Sequence, residues 1–177
     1  ELMGHKPFLV IADFLTRNGI AVLRFDDRGT ASSEGDFKTA TTNDFATDVN
    51  SAVEYLMSRK EIDKKKVGLI GHSEGGIIAP IVANNSKNVS FIVLLAGTGI
   101  PGDQLLLLQQ ELIGKASGMS DEKISDVKKI SSSIFELVNK SSSVDQLNID
   151  LTNFVKQELK TFPDRPKSIS DDDFVKA

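Results

Sequence analysis

The sequence predicts a parallel α/β unit followed by an all-helical unit, and three observations carry that reading. Short, near-continuous apolar runs alternate with amphipathic helical stretches over residues 1–100, the pattern of a sheet covered on both faces. One of those runs, Val67 to Ile70, leads straight into Gly71-His72-Ser73-Glu74-Gly75 and then a helical stretch. After Leu95 no strand-like run recurs, and the stretch from Asp103 to about Phe162 carries helical periodicity.

Taken in order, Lys6 to about Arg17 reads as a helix. Pro7 suits its first turn, where a missing N–H costs nothing, and Phe8, Ile11, Ala12 and Leu15 share one face. Asn18-Gly19 is a helix stop. Ile20 to Phe25 is an apolar run bounded by turn signals and is expected to be a buried parallel strand. Asp26 to Gly35 is a loop. Asp44 to about Lys60 is a helix, with Phe45, Val49, Ala52, Val53 and Leu56 on one side. Val67 to Ile70 is the second strand. Glu74 to about Asn85 is a helix in which Pro80 is expected to cause a kink. Phe91 to Leu95 is the third strand. Beyond Pro101, three amphipathic helices are expected near Asp103–Ile113, Ser120–Lys140 and Val144–Phe162, with Asp103 and Ser120 as caps. Pro163 and Pro166 end the helical region.

Composition bounds the partners. The net charge is −4, which argues against a nucleic-acid partner, since that needs a basic face. There is no cysteine, so disulfides and thiolate metal sites are excluded. No apolar run approaches a membrane span. Glu1 to Lys6 carries no leader pattern, and a leader upstream of it stays open. The hydrophobic fraction of 40% is enough for a core.

The run from Val67 to Gly76 is the richest in chemistry. An apolar strand, Gly-x-Ser-x-Gly and a helix together make a nucleophile elbow, which holds a serine hydroxyl out at the top of a sheet. Gly71 and Gly75 are expected because a side chain at either place would crowd the turn. A plain Gly/Ser loop is the bland alternative, and the flanking strand and helix weigh against it. A serine hydroxyl is a poor nucleophile without an adjacent base. The chain has two histidines, His5 and His72, and neither follows Ser73, although this architecture orders its triad Ser, then Asp or Glu, then His.

On these blocks the chain resembles the α/β-hydrolase superfamily, specifically bacterial serine hydrolases of the esterase and dipeptidyl-peptidase-like branch. Arg24-Phe25-Asp26-Asp27-Arg28-Gly29-Thr30 with Ser32-Ser33-Glu34-Gly35 is similar to the loop after the family's fourth core strand. Gly71-His72-Ser73-Glu74-Gly75-Gly76 is similar to the elbow after the fifth, and Leu94-Leu95-Ala96-Gly97 to the end of the sixth. The resemblance implies a partial α/β-hydrolase core over residues 1–100 and a helical lid over residues 101–177. It implies that one strand and half of the oxyanion hole lie upstream of Glu1, and that the acid and the histidine lie downstream of Ala177. Only Ser73, as nucleophile, and the backbone N–H of Glu74, as oxyanion donor, then carry over. The implied upstream strand lies between Ile20–Phe25 and Val67–Ile70, leaving these about 10 Å apart. The unpaired backbone would make this chain alone poorly stable.

Other residues read more plainly. His72 adjoins Ser73, but consecutive residues at a sharp turn point apart, so a packed, hydrogen-bonded role is expected. His5 reads as a solvated helix-flanking residue. Asp26 and Asp27 follow a strand at its functional edge and read as loop-holding residues, with Arg28 a candidate partner. The Glu74 side chain reads as a polar group at a helix start. Asp171 to Asp173 reads as a solvated cluster rather than a metal site. Gly97-Thr98-Gly99 lacks the third glycine of a dinucleotide fingerprint. No cofactor is implied.

The leading expectation is therefore a serine hydrolase acting on a small ester, amide or peptide through an acyl-enzyme at Ser73. A non-catalytic scaffold of the same fold and an acyltransferase are its rivals. Fold and elbow serve many chemistries, so substrate, oligomeric state and compartment stay open.

Overall fold

In a computed structural model, residues 4–159 are described. The chain forms two compact units that divide between Gly99 and Ile100. Phe162, Pro163, Pro166 and Asp171 to Asp173 lie outside the described residues.

The first unit begins with α1, Pro7–Arg17, which has proline in its first turn. It ends as its Asn-Gly pair dictates. Gly19 takes a left-handed φ of 81°. The Ile20 N–H then reaches back to Leu15 O at 3.0 Å, and the Gly19 N–H to Thr16 O at 3.1 Å. Those two bonds satisfy carbonyls that the helix end would otherwise strand.

Ile20 to Phe25 follows, and here the structure corrects the sequence reading: this run is not a strand. A strand exists only as a ladder, and the described residues offer it no neighbour. The sheet has two strands, β1 (Gly68–His72) and β2 (Phe91–Leu95), paired with each other. Ile20 and Phe25 remain about half exposed.

The second helix, α2, spans Thr42–Ser58. Thr41 caps it through a capping box. Its Oγ1 accepts the Asp44 N–H at 3.3 Å, while Asp44 Oδ2 accepts the Thr41 N–H at 2.8 Å. Two orphan donors are satisfied reciprocally, which is why the helix begins two residues before the expected Asp44.

Strands β1 and β2 run parallel in the register Gly68↔Phe91 to His72↔Leu95. Between them α3, Gly75–Asn85, makes the crossover and runs through Pro80 as one helix. Ala46 of α2 and Ile78 and Val82 of α3 form the buried cluster, with Phe45, Val49, Leu69, Ile81 and Val89 packed around it. Val53 is the most deeply buried large side chain among the described residues, 1% exposed.

The second unit is helical among the described residues: α4 (Gly102–Ala116), α5 (Asp121–Lys140) and α6 (Val144–Leu159). Ser120 caps α5 as expected, accepting the Lys123 N–H. Asp103 does not cap α4. Pro101 holds that position, and Asp103 lies inside the first turn, because proline's fixed φ suits the entry to a helix. The α4–α5 turn closes as α1 does, on a left-handed glycine, Gly118. Gly114 lets the two helices meet closely, since a Cβ there would lie 3.1 Å from Ile124 Cγ1. No helix among the described residues is long and apolar enough to cross a membrane.

Glu111 of α4 also ties the pair. It accepts from Lys115 of its own helix and from Lys128 of α5, each at 2.8 Å. These hydrogen bonds, with the two ammonium charges behind them, hold its carboxyl down from an ordinary 4.5 to about 2. A carboxyl whose folded pKa is depressed adds stability above its unfolded value and loses it as pH falls through the folded one. The α4–α5 contact is therefore expected to weaken between about pH 4.5 and pH 2. Solvent reaches the pair, so salt should shrink the effect. Thermal melts of the wild type and Glu111→Gln across that window check this. The wild-type advantage at neutral pH should vanish at the acid end.

Candidate active site

The elbow is built by β1, β2 and α3. The β1–β2 ladder reaches one residue past β1, where the Ser73 N–H donates to Leu95 O at 3.1 Å. The chain then reverses. Ser73 takes a left-handed φ of 53°, a conformation that strains any side chain other than glycine and that marks functional sites. Its carbonyl accepts the Gly76 N–H at 2.9 Å, and Glu74 O accepts from Ile77 at 2.8 Å, so α3 starts at once. Ser73 lies between strand and helix, as expected, and is exposed.

Two glycines make room for that turn, and only one of them, Gly71, is among the two expected. A Cβ on Gly71 would run into the Gly75 carbonyl, so no side chain fits there. A Cβ on Gly75, by contrast, would meet nothing within 4 Å. The expectation for Gly75 is therefore corrected. The second crowded position is Gly76, where a Cβ would collide with the Gly97 backbone just past β2. The motif's last glycine starts a helix whose side chains radiate outward, whereas the next one faces the neighbouring strand end.

Ala96 lies beside Ser73, following Leu95 as Ser73 follows His72 in the parallel register. It too is left-handed, φ 50°. Alanine carries no sequence signal for such a conformation, so nothing in the sequence marks it. Both strained residues thus sit at the C-terminal end of the strands, the edge where sheets of this type place their ligands.

The Glu74 N–H donates to no backbone carbonyl among the described residues. It stands at the N-terminus of α3, where the helix dipole favours negative charge. The Glu74 side chain is exposed, and its Oε1 accepts from Thr42 Oγ1 at 2.8 Å. This link to the first residue of α2 joins positions 32 apart in sequence, beyond the reach of local pattern.

His72 is turned to α1, its ring edge-on to Phe8 at 5.4 Å between centroids. It is exposed. Among the described residues it makes that ring contact but shows neither the burial nor the hydrogen bond expected of it, and no hydrogen bond joins it to Ser73. His5 is exposed. Arg28 does not pair with Asp26 or Asp27. Its guanidinium forks onto Asp48, both bonds at 2.7 Å, and donates to Asp44 O at 2.9 Å. A planar fork matches a carboxylate bidentately, and Asp48 presents one from α2. The Asp26 and Asp27 backbone carbonyls instead hold the loop, accepting the hydroxyls of Ser33 at 2.6 Å and Thr30 at 2.7 Å. Among the described residues no group of His, Cys, Asp or Glu side chains converges as a metal site would require.

The family model described as serine aminopeptidase, S33, matches residues 6–131 of the chain. Esterase EstD of Thermotoga maritima is 31% identical over 127 residues, covering 68% of this chain and 30% of that protein. The chain thus spans about 30% of the length of that esterase. The strand–elbow–helix unit and the match over residues 6–131 agree, and the chain belongs to the S33 serine aminopeptidase-like family of the α/β-hydrolase superfamily.

Proposed function

We propose that the whole protein is a serine hydrolase in which Ser73 attacks the carbonyl of a small ester, amide or peptide. The observation that carries this reading is the left-handed Ser73 between β1 and α3, next to a Glu74 N–H with no backbone acceptor. In this mechanism a base removes the Ser73 Oγ proton as the oxygen adds to the carbonyl carbon. The resulting oxyanion is received by the Glu74 N–H and a second donor. Collapse expels the alcohol or amine, which takes the proton from the base, and leaves an acyl-enzyme. Water then repeats the sequence and frees the acid and Ser73. The base, its acid partner and the second oxyanion donor are assigned to other parts of the whole protein, as the α/β-hydrolase resemblance implies. Helices α4 to α6 are assigned to a lid that excludes water and selects substrate shape.

Between bond types, the relative's name favours an ester and the family's description an aminoacyl amide. A panel of chromogenic acyl esters and aminoacyl anilides, given to the full-length protein, tests the proposal. Turnover of esters is expected. An added alcohol acceptor that diverted the acyl group in preference to water would make the protein an acyltransferase. No turnover of any substrate would leave the scaffold reading.

A further inference from the structure

We infer that Thr42 is a positioning residue for the elbow: its hydroxyl holds the Glu74 carboxylate at the N-terminus of α2, so that the backbone N–H of Glu74, and not its charge, serves the oxyanion. This rests on the proposed role of Ser73. The difficulty it answers is electrostatic. The residue offered as oxyanion donor carries an exposed carboxylate on the same Cα, and Coulomb repulsion between two anions a few ångströms apart is large in a site that excludes water. Left free, that carboxylate would sample rotamers beside the developing negative charge and also compete for the donors meant for it.

The structure gives it another place. Thr42 Oγ1 donates to Glu74 Oε1 at 2.8 Å, and Thr42 is the first residue of α2. The partial positive charge at that helix end offsets the carboxylate. Thr42 is half-buried and Glu74 exposed, so the fixed partner is the threonine. Helix α2 is itself anchored, by the Thr41–Asp44 capping box at its start and by the Arg28 fork on Asp48 in its second turn. The hydroxyl is therefore held by a clamped element and not by a loose one. At its other end Glu74 is tied through Ser73, whose N–H is fixed to Leu95 O. Side chain and main chain of the same residue are thus anchored to different elements.

The test is steady-state kinetics of the full-length protein on a chromogenic ester, with Thr42→Val, Thr42→Ser, Ser73→Ala, Glu74→Gln and the Thr42→Val/Glu74→Gln double variant. Thr42→Val should lower kcat about three- to tenfold with KM little moved. Thr42→Ser, which keeps the hydroxyl, should stay within about twofold of wild type. In the Glu74→Gln background there is no charge to misplace, so Thr42→Val should cost less than about twofold there. Melting midpoints report any general loss of structure. Should Thr42→Val fold poorly, the Thr42→Ala pair with and without Glu74→Gln reads the same coupling. A wild-type kcat in Thr42→Val, or an equal loss in both backgrounds, overturns the positioning role. Ser73→Ala separates the two levels. Turnover that survives it defeats the nucleophile reading, whereas Ser73-dependent turnover indifferent to Thr42 defeats only this inference.

Discussion

Ser73→Ala in the full-length protein is expected to lower kcat on an activated ester by about four to six orders of magnitude. The size follows from what is removed. Without Oγ no acyl-enzyme forms, and the only route left is direct attack by water on a carbonyl polarised by the oxyanion donors. Those donors survive the substitution, because the Glu74 N–H belongs to the backbone and the second donor is assigned to another part of the whole protein. Substrate binding should survive too, since losing a single hydroxyl leaves the pocket walls in place. The signature is therefore a collapse in kcat with KM nearly unchanged, read by stopped assays at high enzyme concentration. Alanine should also relax part of the strain at φ 53° no better than serine does, as both carry a Cβ. The melting temperature should accordingly stay close to wild type, which separates lost chemistry from lost structure.

Gly71→Ala is expected to be the most damaging single methyl in the first unit. The added Cβ would overlap the Gly75 carbonyl, with the Gly76 amide 2.9 Å away. These are backbone atoms at the start of α3, which is packed on α2 through Ile78 and Val82, so they cannot swing aside as a side chain would. Overpacking in a compliant core costs about 1–3 kcal/mol, and a rigid backbone collision belongs above that range. Domain stability is only about 5–15 kcal/mol in total, so loss of the fold or of the elbow follows. Gly75→Ala is the control, because its Cβ meets nothing within 4 Å. Alanine is also the better helix former by roughly 1 kcal/mol. Urea midpoints should fall sharply for Gly71→Ala and hold or rise for Gly75→Ala. Equal losses at the two positions would show that the crowding is misassigned.

Local chemistry was legible in the sequence, and long-range pairing was not. The stop at Asn18-Gly19 and the turn at Ser73 depend on residues close in the chain, and the structure forms both. Phe91–Leu95 forms as expected because β1 lies beside it as a partner. Ile20 to Phe25 has the composition of a strand, but composition cannot supply the partner that a ladder needs. The Arg28 fork illustrates the same limit. Its adjacent acids are Asp26 and Asp27, yet it bonds Asp48, 20 positions away, because folding brings α2 alongside the loop. At the elbow, the Gly-x-Ser-x-Gly pattern pointed to Gly75, whereas the close contact falls on Gly76, a distinction set by the neighbouring strand end at Gly97. Thr42 gave no sign of its link to Glu74 for the same reason.

The central claim is that Ser73 is an activated nucleophile in the whole protein. Mass spectrometry after treatment of the native full-length protein with a fluorophosphonate tests it most directly. The account predicts one phosphonyl adduct, mapped to the peptide containing Ser73, formed rapidly in the native state and absent after denaturation. An adduct on another residue, or none on Ser73 in a folded protein that hydrolyses esters, would contradict it.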